Sequence, residues 1–151
     1  MARGKYFSEF EVGQVFTSGG RTVTEGDVSL FAGLSGDFNP LHTDAVFAAS
    51  TPFKQRVAHG MLAASISTGL AQTTGIFEGT TLALMGQTFE YKSPTFFGDT
   101  LRLRLTVQSV KASSKGGRGV VVFQSEVMNQ RDEVAVGGSW TVMFADRPAG
   151  E

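Results

Sequence analysis

Residues 57–74 read VAHGMLAASISTGLAQTT, and this stretch decides the fold. Met61, Leu62, Ile66 and Leu70 recur at helical spacing, and small residues fill much of the rest. A helix that is apolar all round and carries almost no charge is typical of a protein interior. The pattern therefore predicts one long buried helix over the whole stretch, from Val57 to about Thr74.

Four apolar stretches rich in Val, Thr, Phe and Leu follow this helix and indicate β-strands. We expect strands at Thr80–Tyr91, Asp99–Lys111, Gly119–Asn129 and Glu133–Phe144. Turn residues separate them, as antiparallel connections require, and an extended segment over residues 10–23 would bring the sheet to at least five strands. The order of elements predicts an α+β fold in which an antiparallel sheet wraps around a long central helix, as one domain over residues 1–151.

Two shorter helices are expected before the central one. Thr24 can cap a helix because Asp27 stands three positions on, and that helix should end near Gly36. A second should run from Asp44 to Ala49. The heptapeptide between them, GDFNPLH at residues 36–42, is then expected to be a loop with a stiff Asn-Pro turn.

Composition excludes several classes of protein. The chain has 151 residues, a net charge of −1 and no cysteine, which rules out disulfides and thiolate chemistry. The basic residues are scattered, so no nucleic-acid partner is expected. No apolar run approaches transmembrane length and the N-terminus lacks a hydrophobic signal region; we therefore expect a cytoplasmic protein with no membrane partner.

Asp37 and His42 lie five residues apart in the GDFNPLH loop. A carboxylate and an imidazole held by a stiff turn are the groups that proton transfer next to a polarised carbonyl requires. The alternative is structural, since Asp and Asn side chains also fix turns by bonding the backbone, and His42 could pack locally.

Helix N-termini carry unpaired N–H groups and the positive end of the helix dipole, which stabilise an oxyanion. Gly60 offers such an N–H with no side chain in the way; the alternative is that it only starts the helix and lets another segment pack closely on it. His59 is expected to position or pack rather than act as a base. Ser65 and Thr68 share one helix face. Their hydroxyls could bind a reacting group or bond back to the preceding turn.

The stretches GDFNPLH, AHGML and FEYKSPTFFGDTL closely resemble the MaoC-like dehydratases, which include the (R)-specific enoyl-CoA hydratases. The resemblance runs in order from about Phe7 to Trp140. It implies a hot-dog fold with Asp37 and His42 at the catalytic positions and Gly60 as the oxyanion-hole amide. We also expect substrate-binding roles for Asn39, His59, Ser65 and Thr68. Thr68 stands where the family often has serine.

The resemblance further implies reversible hydration of a trans-2-enoyl thioester of coenzyme A to the (3R)-3-hydroxyacyl thioester, with no metal or other cofactor. The partner is then a small acyl-CoA. A homodimer, or a larger oligomer of dimers, is expected because the long edge strands need cover.

Three alternatives remain open at this stage. A hot-dog thioesterase would keep the fold, although residues 59–74 contain no carboxylate of the kind several such enzymes use. A non-catalytic acyl-thioester-binding module would also fit the fold. A metal site is the third, and its ligands would be Asp37, His42, Asp44 and His59, none of which pair at helical i,i+4 spacing.

Overall fold

Residues 3–148 are described by the computed structural model, and a six-stranded antiparallel sheet dominates them. The strands are β1 (Val15–Thr17), β2 (Arg21–Thr22), β3 (Thr81–Tyr91), β4 (Thr100–Ala112), β5 (Arg118–Met128) and β6 (Val134–Ala145). Their order is β1-β4-β5-β6-β3, and β2 also pairs with β4. The predicted α+β class with at least five strands is confirmed, and β3 forms one edge of the sheet.

The helices are α1 (Glu25–Ser35), α2 (Pro40–Thr43), α3 (Ala45–Ser50) and α4 (Gly60–Gln72), with a 3-10 turn at Phe7–Glu9. The start of α1 is as predicted, because the Thr24 hydroxyl accepts from the Asp27 N–H and the Asp27 carboxylate accepts from the Thr24 N–H. Gly36 ends α1 in the left-handed conformation, at φ 77°. Within residues 3–148 no helix is both long and apolar enough to cross a membrane.

The central helix α4 is shorter than predicted, and the prediction was wrong at its start. Val57 forms a β-bridge with Phe96, and the Ala58 N–H donates to the Thr95 carbonyl oxygen at 2.8 Å. These contacts with a distant segment of the same chain keep residues 57 and 58 extended. The helix therefore begins at Gly60, after His59 at the N-cap position.

A short helix, α2, lies where the sequence predicted only a loop. Its N-cap is Asn39, whose side-chain oxygen accepts from the Leu41 N–H at 3.0 Å, and Pro40 takes the first helical position. Proline suits that position because its fixed φ is helical and its missing N–H would have no partner there. The loop prediction was wrong because these two local signals start a helical turn.

The core lies between α4 and the inner face of the sheet. Leu101, Leu103 and Leu105 of β4 are fully buried, as are Phe123 of β5 and Phe144 of β6. The buried side of α4, with Leu62, Ile66 and Leu70 among its residues, packs on this face. At about 25 cal/mol per Å² of apolar surface, this burial is the main stabilising contribution.

One face of α4 remains exposed in the single chain, which differs from the predicted all-round burial. Met61, Ser65 and Thr68 lie along this stripe, at spacings of four and three residues. The neighbouring strand β3 is also exposed, with Leu82 and Leu84 about half accessible. Thr68 and Leu84 line the same small cavity, of about 140 Å³, so the stripe and the strand adjoin.

Candidate active site

A cavity of about 690 Å³ opens at the N-terminal end of α4. It is bounded by α1, by the loop that precedes α2, by α2 itself, by the start of α4 and by the segment after β3. The residues around it are Phe31, Ser35, Asp37, Leu41, His42, Phe53, Val57, Ala58, His59, Gly60, Met61, Tyr91, Lys92, Ser93, Pro94, Thr95 and Val136. Four of the seven predicted site residues, Asp37, His42, His59 and Gly60, therefore line one cavity.

Asp37 lies in the loop between α1 and α2, with about half of its side chain accessible to solvent. The left-handed Gly36 turns the chain out of α1 just before it. One oxygen of the carboxylate, Oδ1, accepts from the Asn39 N–H at 3.2 Å. The other oxygen, Oδ2, faces the two imidazole rings, so one oxygen orients the carboxylate while the other is directed at the histidines.

His42 is held by the main chain of the segment before α4. Its Nδ1 lies 2.7 Å from the carbonyl oxygen of Val57, which can only accept a hydrogen bond, so Nδ1 carries the proton of the neutral ring. The remaining nitrogen, Nε2, then presents a lone pair. Sequence reasoning missed this partner because a backbone carbonyl leaves no residue signature.

The Asp37 Oδ2 and His42 Nε2 atoms lie 4.0 Å apart. That separation is too long for a direct hydrogen bond. An oxygen atom about 2.8 Å from each of them would subtend an angle of about 90°, which two ordinary hydrogen bonds tolerate at a water. The geometry is therefore suited to holding a small hydroxylic group between a carboxylate and an imidazole lone pair.

Gly60 begins α4, and its N–H is one of the groups that a helix leaves without an internal partner. Among residues 3–148 this N–H makes no hydrogen bond. The Tyr91 ring covers the glycine: a Cβ at position 60 would lie 2.7 Å from ring carbons Cδ1 and Cε1. A side chain at position 60 would therefore have to displace the Tyr91 ring.

His59 is almost fully buried beside these groups. Its ring is stacked on the ring of His42, with centroids 3.8 Å apart and planes inclined by 28°. Its Nε2 lies 2.9 Å from the backbone oxygen of Asp37. The two histidines of the chain, seventeen residues apart in sequence, are thus in direct contact.

The other three predicted site residues are outside this cavity. Asn39 caps α2, so its side-chain oxygen is already engaged. The Ser65 hydroxyl donates to the Met61 carbonyl oxygen at 2.8 Å, and the Thr68 hydroxyl donates to that of Ser65 at 2.7 Å. Both hydroxyls thus make the bond to the preceding turn that was the alternative interpretation. Thr68 lines the separate 140 Å³ cavity with Trp140 and Leu84.

The four groups considered as metal ligands do not all meet. The potential ligand atoms of Asp37, His42 and His59 lie within 4.8 Å of one another. Asp44, in contrast, caps α3 by accepting from the N–H groups of Val46 and Phe47, both at 2.9 Å. Zinc lies about 2.0–2.1 Å from a histidine nitrogen, close to the ring plane. His59 Nε2, which lies 4.0 Å from Asp37 Oδ2, is also 2.9 Å from the Asp37 backbone oxygen, so in this arrangement it donates a hydrogen bond and offers no lone pair to an ion.

Comparison with known proteins identifies the family. The sequence model of the MaoC-like domain matches residues 9–130, about four-fifths of the chain. The chain belongs to the MaoC-like family. A MaoC-like relative, the (R)-specific enoyl-CoA hydratase of Rhodospirillum rubrum, is 34% identical over 142 residues, which are 94% of this chain and 93% of that protein.

Solved structures establish the fold. A MaoC-like dehydratase from Rhodospirillum rubrum superimposes with a TM-score of 0.85 at 29% identity, covering 96% of this chain and 99% of that one. A Mycobacterium tuberculosis protein with a double hot-dog fold superimposes with a TM-score of 0.80 at 21% identity; the match covers 98% of this chain and 46% of that one. The hot-dog fold implied by the sequence is therefore confirmed.

Proposed function

We propose that the protein reversibly hydrates trans-2-enoyl-CoA to (3R)-3-hydroxyacyl-CoA. It is a hydro-lyase, like the relative named above. The observation that carries this proposal is the 4.0 Å gap between Asp37 Oδ2 and His42 Nε2, beside the unpartnered Gly60 N–H. An acid/base pair that can hold one water next to an oxyanion-binding amide supports addition of water to a conjugated carbonyl.

The thioester is activated at its carbonyl oxygen. The Gly60 N–H donates to this oxygen, and the positive end of the α4 dipole stabilises the negative charge that develops there. Electron withdrawal through the conjugated system makes C3 electrophilic. The Tyr91 ring lies against Gly60 and forms a wall of the space where the thioester binds.

Water is activated between Asp37 and His42. The oxygen of water bonds to C3 while the pair takes one of its protons, and a proton from the pair passes to C2, so the two groups return to their starting state. The Nδ1–H bond to the Val57 oxygen leaves His42 Nε2 as the available lone pair. Each well-placed proton-transfer group is typically worth about 10²–10⁴ in rate. In this proposal the side chains of Asn39, Ser65 and Thr68 do not contact the reacting atoms.

The functional unit is a homodimer. Strand β3 pairs only with β6, so its other edge is free among the described residues. The exposed stripe of α4 and the exposed leucines of β3 form one continuous surface next to that edge. A second copy of the chain would pair with the edge and cover the surface. The double hot-dog neighbour, in which two such units occur in one chain, supports this arrangement.

The test is the loss of ultraviolet absorbance of the conjugated thioester in crotonyl-CoA and in longer and branched enoyl-CoAs. We expect rapid loss with the wild type, formation of the (3R)-alcohol, and a kcat lower by about 10²–10⁴ in Asp37→Asn. Asp44→Asn is the matched control, because asparagine can still cap α3 and the same chemical change is made seven residues away. Its kcat should stay at the wild-type value.

Each of the other outcomes would point to a different catalytic group or a different function. Wild-type turnover by Asp37→Asn would mean that another group performs the proton transfer. Release of free thiol from saturated acyl-CoA would identify a thioesterase. Saturable acyl-CoA binding without turnover of any of these substrates would indicate a binding module.

A further inference from the structure

His59 is in contact with every segment that contributes to the acid/base pair. Its ring packs against Phe31 of α1, with centroids 5.0 Å apart, and stacks on His42 of α2 at 3.8 Å. Its Nε2 reaches the backbone oxygen of Asp37, in the loop between those helices, at 2.9 Å. Residue 59 is itself the N-cap of α4. One side chain thus links the acid, the base and the helix that carries Gly60.

The hydrogen bond to Asp37 fixes the tautomer of His59. A carbonyl oxygen can only accept, so Nε2 carries the proton and Nδ1 is left as an acceptor. That Nδ1 is buried and has no hydrogen-bond partner among the described residues. His42 is in the opposite tautomer, since its own Nδ1–H donates to Val57.

The unpaired Nδ1 is informative because burying an unsatisfied acceptor costs stability. Phenylalanine would supply a flat ring for the same stack without that cost. Glutamine would supply an amide donor without a ring. Histidine combines an aromatic face with a donor in the ring plane, and both are in use at position 59.

We propose that His59 is a positioning residue that holds Asp37 and His42 in one relative geometry, by the stack on His42 and the hydrogen bond to the Asp37 carbonyl. This inference rests on the proposed function only for its catalytic consequence. It predicts that stability and turnover separate at this position, because the imidazole that carries the unpaired Nδ1 also supplies the stack and the Nε2–H hydrogen bond.

Two variants separate the two contacts. His59→Phe keeps the ring and deletes the hydrogen bond. We expect a thermal midpoint at or above the wild-type value and an unchanged KM for crotonyl-CoA. The kcat should be about 10- to 100-fold lower, since small displacements of reacting groups cost that much. His59→Gln keeps a donor and should recover part of the lost kcat. Wild-type kcat in His59→Phe, or equal losses in both variants, would overturn the role of the hydrogen bond. Losses of kcat that follow losses of thermal stability would reduce His59 to a packing residue.

Nuclear magnetic resonance gives a readout that does not depend on turnover. The chain has only two histidines, so nitrogen-15 ring spectra near pH 8, where ordinary imidazoles are neutral, should show one Nδ1–H and one Nε2–H tautomer. Finding Nδ1–H in His59 would overturn the proposal. In His59→Phe, backbone relaxation should show that Asp37 and Asn39 are more mobile than in the wild type and that α4 is unchanged. A loop as rigid as that of the wild type would also overturn the proposal. If the wild type fails to turn over enoyl-CoA while these signals appear, the proposed function fails and the positioning role stands.

Discussion

Strands β3 and β4 belong to one sheet and have similar lengths, 11 and 13 residues, but they differ in what surrounds them. β4 has β5 on one side and β1 and β2 on the other, and its residues alternate strictly between buried and half-buried from Thr100 to Val107. β3 has a partner on one side only, and most of its residues are exposed on both faces. Apolar side chains such as Leu82, Leu84 and Met85 are about half accessible there.

The difference shows which hydrophobic surfaces the single chain buries by itself and which it leaves exposed. Around β4 the hydrophobic pattern of the sequence is fully used by the core of one chain. Around β3 many apolar side chains of the same kind of pattern remain exposed. Large exposed apolar surfaces next to a free strand edge are typical of protein interfaces. Mutations on the two strands should therefore act on different equilibria.

The largest effect is expected on β4. Leu103→Ala removes a fully buried side chain on the inner face of the sheet and should lower the free energy of unfolding by about 2–5 kcal/mol. Denaturant titration measures this, with Leu34→Ala as the control because Leu34 is 84% exposed on α1. The control should change stability by less than about 0.5 kcal/mol. A small effect of Leu103→Ala would mean that β4 is no better packed than β3.

The next effect is expected on β3 and concerns association. Leu82→Glu would bury an unpaired charge in the proposed dimer and weaken dimerisation by roughly 10²-fold or more, without unfolding the chain. Light scattering across a range of concentrations measures the change. Val12→Glu is the control, since Val12 is exposed and lies before β1 on the opposite side of the sheet. A wild-type protein that stays monomeric at high concentration would refute the interface.

The smallest effect is expected in the N-terminal segment, whose 3-10 turn contacts β5 and β6. The Glu9 carboxylate accepts from Arg3 at 2.7 and 2.8 Å, and its hydrogen bonds to Arg3 and to the Tyr6 N–H, together with Arg147, lower its pKa to about 2. Because the folded-state pKa is depressed, the stabilisation is present above about pH 4.5 and is lost as the pH falls towards 2.

Thermal unfolding of Glu9→Gln as a function of pH measures this contribution. At neutral pH the variant should be less stable by about 1 kcal/mol or less, since the ion pairs are partly exposed. The difference from wild type should shrink as the pH falls from about 4.5 to 2. A difference independent of pH would show that the glutamate acts through packing and not through its charge.

Periodicity predicted most of the fold. The four long strands lie within one or two residues of their expected positions, and the cap formed by Thr24 and Asp27 is where its spacing put it. The errors occurred where distant bonds override local preference. Residues 57 and 58 are extended because they pair with Phe96 and Thr95, almost forty residues away, and no local pattern reports such a contact.

The candidate site was predictable to the extent that motifs encode it. The spacing of GDFNPLH and AHGML gave Asp37, His42, His59 and Gly60, which line one cavity. The Tyr91 ring on Gly60 and the stack of the two histidines depend on how helices and strands meet, so the sequence could not reveal them. Ser65 and Thr68 share a helix face as expected, but that face is exposed in the single chain, and sequence does not report which way a helix is turned.

The bond from His42 to the Val57 carbonyl has a consequence for variation at this position. A side-chain partner could be lost by a single base change, whereas every amino acid that residue 57 can become still carries this oxygen. A point mutation of residue 57 therefore preserves the orientation of the His42 imidazole, provided that the new residue can stay extended and fit beside the cavity. Selection at residue 57 then acts on the shape of the backbone, and the identity of the side chain is free to drift among those that preserve it.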